Sequence, residues 1–349
     1  MTALTVPVGQ DRDLRPVPWQ KMAWVTWRQH RIALAGVAAL LGGGAVYLLI
    51  MGLSIHHAYA AVAACHPWSS DACGNLVGNF LSTYWGGAQI TSVLLQLVPV
   101  LIGAFVGAPV LARELETGTF RFIWTQGFGR ARWAAAKLTL LAVAVTAAAG
   151  AFSVPYSWYI RPFLATPVWQ QSSLAGEIFD LKGIAFAAWT LAAFAIGALA
   201  GLLIRRVVPA MAATLAVYAG MAFATTLFLR QHYLAPLVTN SPGGPPGNGA
   251  TDLLVSHWYT GPNGKPVSQA VINHLLQGFN PTVTKVAPNS FQTSLDPHQY
   301  LAQHGYTLWM SYQPASRFWP FQWIEGGWLL ALSVILIAAT IWLVRRRAA

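Results

Sequence analysis

Long apolar runs broken by short polar punctuation set the pattern of this chain. Six of them are long enough to cross a bilayer, which takes about 20 residues. They span approximately 32–55, 92–112, 134–156, 183–204, 209–229 and 327–345. Each predicts a helix, because a segment in hydrocarbon must satisfy its own backbone hydrogen bonds. The third is the least clean, since Pro155 and Tyr156 interrupt its end. Pro99 and Pro109 predict bends in the second, as proline removes a backbone donor. Glycines four apart, Gly103 and Gly107 in the second run and Gly197 and Gly201 in the fourth, allow helices to approach closely. They are read as packing within the chain before packing between chains. Gln96 is the clearest polar group inside a span, and no acid or base is expected deep in any of them, which argues against a proton relay.

Two segments outside the spans carry their own pattern. In "PWQKMAWVTWRQHR", Pro18 to Arg31, helical spacing puts Trp19, Met22, Ala23, Thr26 and Trp27 on one arc and Lys21 and Arg28 on the other. This predicts an amphipathic elbow helix lying along the membrane surface. Residues 230–326 form the only sizeable soluble region. It opens with a flexible "TNSPGGPPGNG"; "LLVSHWYT" and "GPNGKPV" read as strand and turn, "VSQAVINHLLQGF" as a short helix and "HGYTLWMSY" as a strand. "RFWPFQWIE" then brings aromatic residues to the membrane interface. The predicted class is an all-α polytopic membrane protein with six transmembrane helices, an N-terminal amphipathic elbow helix and a small α+β extracytoplasmic domain between spans five and six. The expected domains are 1–31, tail and elbow; 32–229, five spans with the connection 113–133; 230–326, the extracytoplasmic domain; and 327–349, the sixth span and basic tail.

Composition supports the membrane reading. The chain is 55% hydrophobic and 9% charged, where soluble proteins carry roughly a quarter charged residues. A net charge of +11 could suggest nucleic acid, but its distribution follows the positive-inside rule. With the N-terminus inside, 15 of the 21 basic residues are cytoplasmic, including Arg28 and Arg31, Arg113 to Lys137, Arg205, Arg206 and Arg345 to Arg347. Both termini are then cytoplasmic, in a multi-pass protein of the bacterial plasma membrane. The two cysteines, Cys65 and Cys73, share the first outer loop, where an oxidising compartment favours a disulfide. His56, His57 and His66 lie near them in no established zinc spacing, so no metal site is expected. Phosphate-binding, zinc-protease and nucleophile-elbow motifs are absent from the sequence. The chain is therefore expected to hold no cofactor and to do no catalysis.

The most polar interruption is "ELETGTFRFIWTQGFGRARW", Glu114 to Trp133. Thr117 or Thr119 can cap a short helix there, and Gly118 lets the chain turn. Phe120, Ile123 and Trp124 would share one face, with Arg121 and Thr125 on another, before "QGFGR" ends the helix ahead of Arg130. Apolar anchors with a charged rim are how helices dock into partner grooves.

The pattern E-x-E-x-G-T…Q…R…K across Glu114–Lys137 resembles the cytoplasmic loop of type-2 ABC-transporter permeases. The whole layout shares the likeness, and "WRQHR" and "RFWPFQWIE" are similar to actinobacterial members. The resemblance implies that Glu116, Gly118, Thr119, Arg130 and Lys137 hold motif positions. It implies a coupling helix, drawn from Glu114, Glu116, Gly118, Thr119, Phe120, Arg121, Ile123, Trp124 and Arg130, that docks on a separate ATPase subunit. That partner would bind ATP and Mg. Arg121 stands where many relatives have an acid, which reverses the charge that the ATPase meets. The resemblance further implies a second permease copy, as a homodimer, and export of a hydrophobic or amphiphilic cargo. The path would lie near the second and fifth spans, with Gln96, Phe105, Tyr218 and Met221 as lining candidates. The alternative is an ABC-type signalling or scaffold complex that senses a ligand through residues 230–326. A binding cleft there, without a cavity among the spans, would favour it.

Overall fold

The computed structural model describes residues 19–67, 70–118, 130–166, 172–241, 252–279, 283–287, 290–293 and 297–346. Six helices in it are long and apolar enough to cross a membrane. The first, α1, runs Trp19–Ala64 without a break at Arg31. Neither proline nor glycine occurs between residues 19 and 35 to stop it. The predicted elbow sequence and the first span thus form one helix, about 69 Å long at 1.5 Å per residue. Cys65 and Cys73 then form a disulfide, and Ser70 caps α2 (Asp71–Leu95) by accepting from the Cys73 amide at 3.3 Å.

The second membrane helix breaks where its prolines predict. It continues through α3 (Leu97–Ile102), a π-helical turn at Gly103–Gly107 and α4 (Pro109–Glu116). Pro99 cannot donate to Leu95, where α2 ends, and Pro109 cannot donate to Phe105, inside the π turn. By contrast α5 (Arg130–Leu164) passes straight through Pro155 and Pro162, so the expected interruption at Pro155 and Tyr156 does not occur. Packing overrides the lost donors: Tyr156, Tyr159, Ile160 and Phe163 are all buried. The Tyr156 hydroxyl bonds Ser92 Oγ at 2.8 Å and the Glu177 carbonyl at 3.3 Å.

After a single turn, α6 (Gly176–Phe179), comes the central helix α7 (Ala185–Ile204). It is apolar all round, as a helix enclosed by others must be. Its glycines seat it on the π turn. A Cβ at Gly103 would lie 2.5 Å from the Ala193 carbonyl oxygen, and one at Gly107 2.6 Å from that of Phe194. Gly197 and Gly201 meet the backbone of Gly103 and Ala108 in return, so the predicted close approach is made within the chain. Next, α8 (Val207–Ala224) ends in a π turn at Thr225–Leu229 and a 3-10 turn at Arg230–His232.

A sheet region follows. Strands β1 (Leu237–Ser241), β2 (Leu253–Thr260), β3 (Pro266–Val267) and β6 (Thr307–Gln313) form an antiparallel sheet of order β1-β6-β2-β3. Strands β4 (Val283–Ala287) and β5 (Ser290–Thr293) pair separately. Ile272 of α9 (Gln269–Gln277) and Leu301 of α10 (Pro297–Gln303) cover Tyr259, Leu308 and Met310 on one sheet face. Thr239 to Ser241, read as the start of a flexible stretch, instead pair with β6. The last helix, α11, runs Phe318–Arg346 and so begins well before the apolar run at 327.

Candidate functional site

The predicted coupling connection leaves α4 through its C-cap, Thr117, whose hydroxyl donates to the Arg113 carbonyl at 2.8 Å. Gly118 follows at φ +70°, a left-handed conformation that glycine adopts without a Cβ penalty. Thr119, Phe120, Arg121, Ile123 and Trp124, and the side chain of Arg130, lie outside the described residues, and with them the amphipathic helix expected there.

The two ends of that connection are tied to the bundle. Lys137 Nζ donates to Glu114 Oε1 at 2.6 Å and to the Val110 carbonyl at 3.1 Å, and it sits 4.8 Å from the centre of the Trp133 ring. This pair, almost fully buried on the lysine side, joins α4 to the start of α5. Two residues along, Glu116 Oε2 accepts from the Val207 amide at 3.0 Å. The turn before Val207 has Arg205 at φ 60° and no side-chain cap of its own. Glu116 supplies the missing acceptor at the start of α8, where the helix dipole also favours a carboxylate. Acids two apart on a helix point in well-separated directions, so E-x-E sends one to α5 and the other to α8.

Beside this junction a cavity of about 1170 Å³ opens between α1 and the α3–α4 segment. Its polar end holds Gln29, His30, Arg113 and Glu114, and its walls include Leu40, Leu101 and Phe105. The four pathway candidates do not meet around it. Phe105 lines it and is 60% exposed. Gln96 is half-buried at the α2–α3 break. Tyr218 is buried edge-on against Trp189 at 5.4 Å, and Met221 packs in the same cluster.

The opposite end of the bundle holds a cluster that sequence reasoning missed. Arg230 donates through Nε to Glu325 Oε2 at 3.0 Å and through Nη2 to Glu325 Oε1 at 2.8 Å, and also pairs with Asp180. Its guanidinium lies 4.3 Å from the centre of the Phe179 ring. Glu325 accepts further bonds from Trp189 Nε1 at 2.8 Å and the Tyr233 hydroxyl at 3.1 Å. Gln322, one turn before it, accepts from the amides of Ile184 and Ala185 and donates to the Phe179 carbonyl at 3.0 Å. It thereby caps α7. Burial pushes the Asp180 carboxyl up to about 7, with Arg230 opposing the shift and Glu325 reinforcing it.

Glu114, Lys137, Arg230 and Glu325 all lie in or against the membrane helices, stable because each faces its counter-charge. These buried charges sit toward the ends of the membrane helices, outside or at the margin of the predicted apolar runs, and none lies deep in a span. A signal existed in the sequence: Phe318, Phe321, Gln322, Glu325 and Leu329 recur at helical spacing, which marks a buried face rather than an interfacial belt.

Six apolar helices, a connection tied to the bundle at both ends and a small sheet region after the fifth helix suggest a multi-pass membrane protein. Residues 35–230 match the family model described as "ABC-2 membrane transporter related", and the chain belongs to that family. No curated protein and no solved structure gives a match.

Proposed function

We propose that this chain is the permease subunit of an ATP-driven exporter, working with a separate ATPase and a second permease copy. The observation that carries the reading is the double tie of the α4–α5 connection, Glu114 to Lys137 and Glu116 to Val207. A push on that connection reaches α4, α5 and α8 together, which is what a two-state transporter biased by nucleotide requires. The basic end of the bundle is cytoplasmic in this reading, and residues 230–326 face outward. ATP and Mg belong to the partner ATPase, and this chain does no chemistry. The apolar cavity walls suit a hydrophobic or amphiphilic cargo. A cavity against the membrane helices favours transport over the signalling alternative.

Purification of the tagged chain from its native membranes tests this. The expected result is co-purification of a nucleotide-binding subunit with vanadate-sensitive ATPase activity. Trp124→Ala and Phe120→Ala should weaken that association by over about tenfold if they anchor the interface, while membrane insertion stays unchanged. Parental association in both variants would leave 113–133 an ordinary basic loop.

A further inference from the structure

The cavity between α1 and the α3–α4 segment has a polar end and an apolar length, and its open side faces out of the bundle. Ile32 is 82% exposed and Phe105 60% exposed at its margins. At the polar end, His30 Nε2 is buried and has no hydrogen-bond partner among the described residues. Lys137 and Glu114 neutralise one another there. The exposed Arg113 guanidinium has no ion pair among the described residues and leaves that end with a net positive charge. From His30 to Leu40 the wall of α1 extends about 15 Å at 1.5 Å per residue. That is about half of a ~30 Å hydrocarbon core, or one leaflet.

We propose that this cavity binds one anionic phospholipid from the leaflet at the basic end of the bundle. The headgroup phosphate accepts from Arg113 and from His30 Nε2, and an acyl chain lies along Leu40, Leu101 and Phe105. Three features select this occupant. A phosphodiester supplies the acceptor that the buried His30 nitrogen lacks, and a guanidinium binds phosphate through paired donors. The net charge favours an anionic over a zwitterionic headgroup, as in basic pockets between membrane helices elsewhere. The apolar length gives a chain-free phosphate nothing to bury. The proposal concerns the same cavity as the transport reading and names its occupant, but lipid binding there can be tested without the ATPase, so the two can fail separately.

The test uses the full chain in nanodiscs carrying photoactivatable phosphatidylglycerol or phosphatidylcholine, with adducts mapped by mass spectrometry. Peptides covering residues 32–40 and 101–105 should label with phosphatidylglycerol about tenfold or more over phosphatidylcholine, the discrimination expected of a charge-assisted contact. The lipid-accessible control position Val154, 67% exposed on α5, should label equally with both. Arg113→Gln should bring the cavity ratio down to the control ratio, and Leu40→Trp, which fills the cavity, should lower labelling by either lipid. Equal labelling at the cavity, or a ratio that Arg113→Gln leaves unchanged, overturns the proposal. Glycerol 3-phosphate should not compete; if it does, the site takes a soluble phosphate and the lipid assignment falls. A photoreactive residue at Phe105 that cross-links to a second copy of the chain, instead of to lipid, also overturns it.

Discussion

The two ends of the bundle handle buried charge differently. At the sheet end, Glu325 receives bonds from Trp189, Tyr233 and two nitrogens of Arg230, and Asp180 takes a further one. That cluster ties α7, α8 and α11 into one block. At the basic end, α4 holds α5 and α8 through one acid each, and a cavity runs alongside. Many converging bonds make a clamp, whereas single ties beside an open space leave elements able to shift together. On the proposed transport reading, the sheet end would hold the fold and the basic end would move.

Breaking the clamp should have the largest effect. Glu325→Ala leaves Arg230 as a buried charge with only Asp180, and should destabilise the protein by about 3–5 kcal/mol, the usual loss on removing one partner of a buried pair. Thermal unfolding in detergent reads this, and an unchanged melting temperature would end the clamp interpretation. Lys137→Met removes the corresponding partner at the basic end. Glu114 lines the cavity and is 14% exposed, so water can reach it. The expected loss is smaller, about 1–3 kcal/mol, with a larger relative loss of ATP-coupled transport if the proposed function holds. Equal destabilisation by Lys137→Met and Glu325→Ala would erase the contrast between the ends.

A subtler effect concerns pH. Two carboxylates facing one guanidinium carry one negative charge too many, and burial raises the Asp180 carboxyl from 3.8 to about 7. The folded state then binds the proton more tightly than the unfolded chain. Between those values unfolded Asp180 has lost its proton while folded Asp180 keeps it, so its contribution to stability falls as pH rises from about 4 to 7. Melting curves across that window should slope downward with pH, and Asp180→Asn should flatten them. The smallest stability effect belongs to Arg113→Gln. The side chain is exposed and makes no ion pair among the described residues, so melting should not change measurably while lipid selectivity at the cavity is lost.

Much of this architecture was legible along the chain. The six apolar runs, the strand and turn from Leu253 to Val267 and the helix at Gln269–Gln277 lie where periodicity and turn residues placed them. The disulfide follows from having only two cysteines; the glycine spacing announced close packing within the chain, but not that Gly103 and Gly107 would meet Gly197 and Gly201, nor that Gly42 and Gly43 of the first span would meet nothing. Helix ends were less legible. A polar but helix-compatible segment such as Phe318–Glu325 lowers mean hydropathy without breaking a helix, so the last helix reads shorter than it is.

By itself, then, the sequence determined the class of protein and the number of membrane helices, because each depends on local patterns of apolar residues. Only the tertiary structure decided that Arg230 meets Glu325, 95 residues away, that Glu116 caps a helix 91 residues on, and that a cavity opens beside Arg113. A charge in a hydropathy window counts as a cost wherever it stands. Whether a partner cancels that cost depends on which helices assemble side by side.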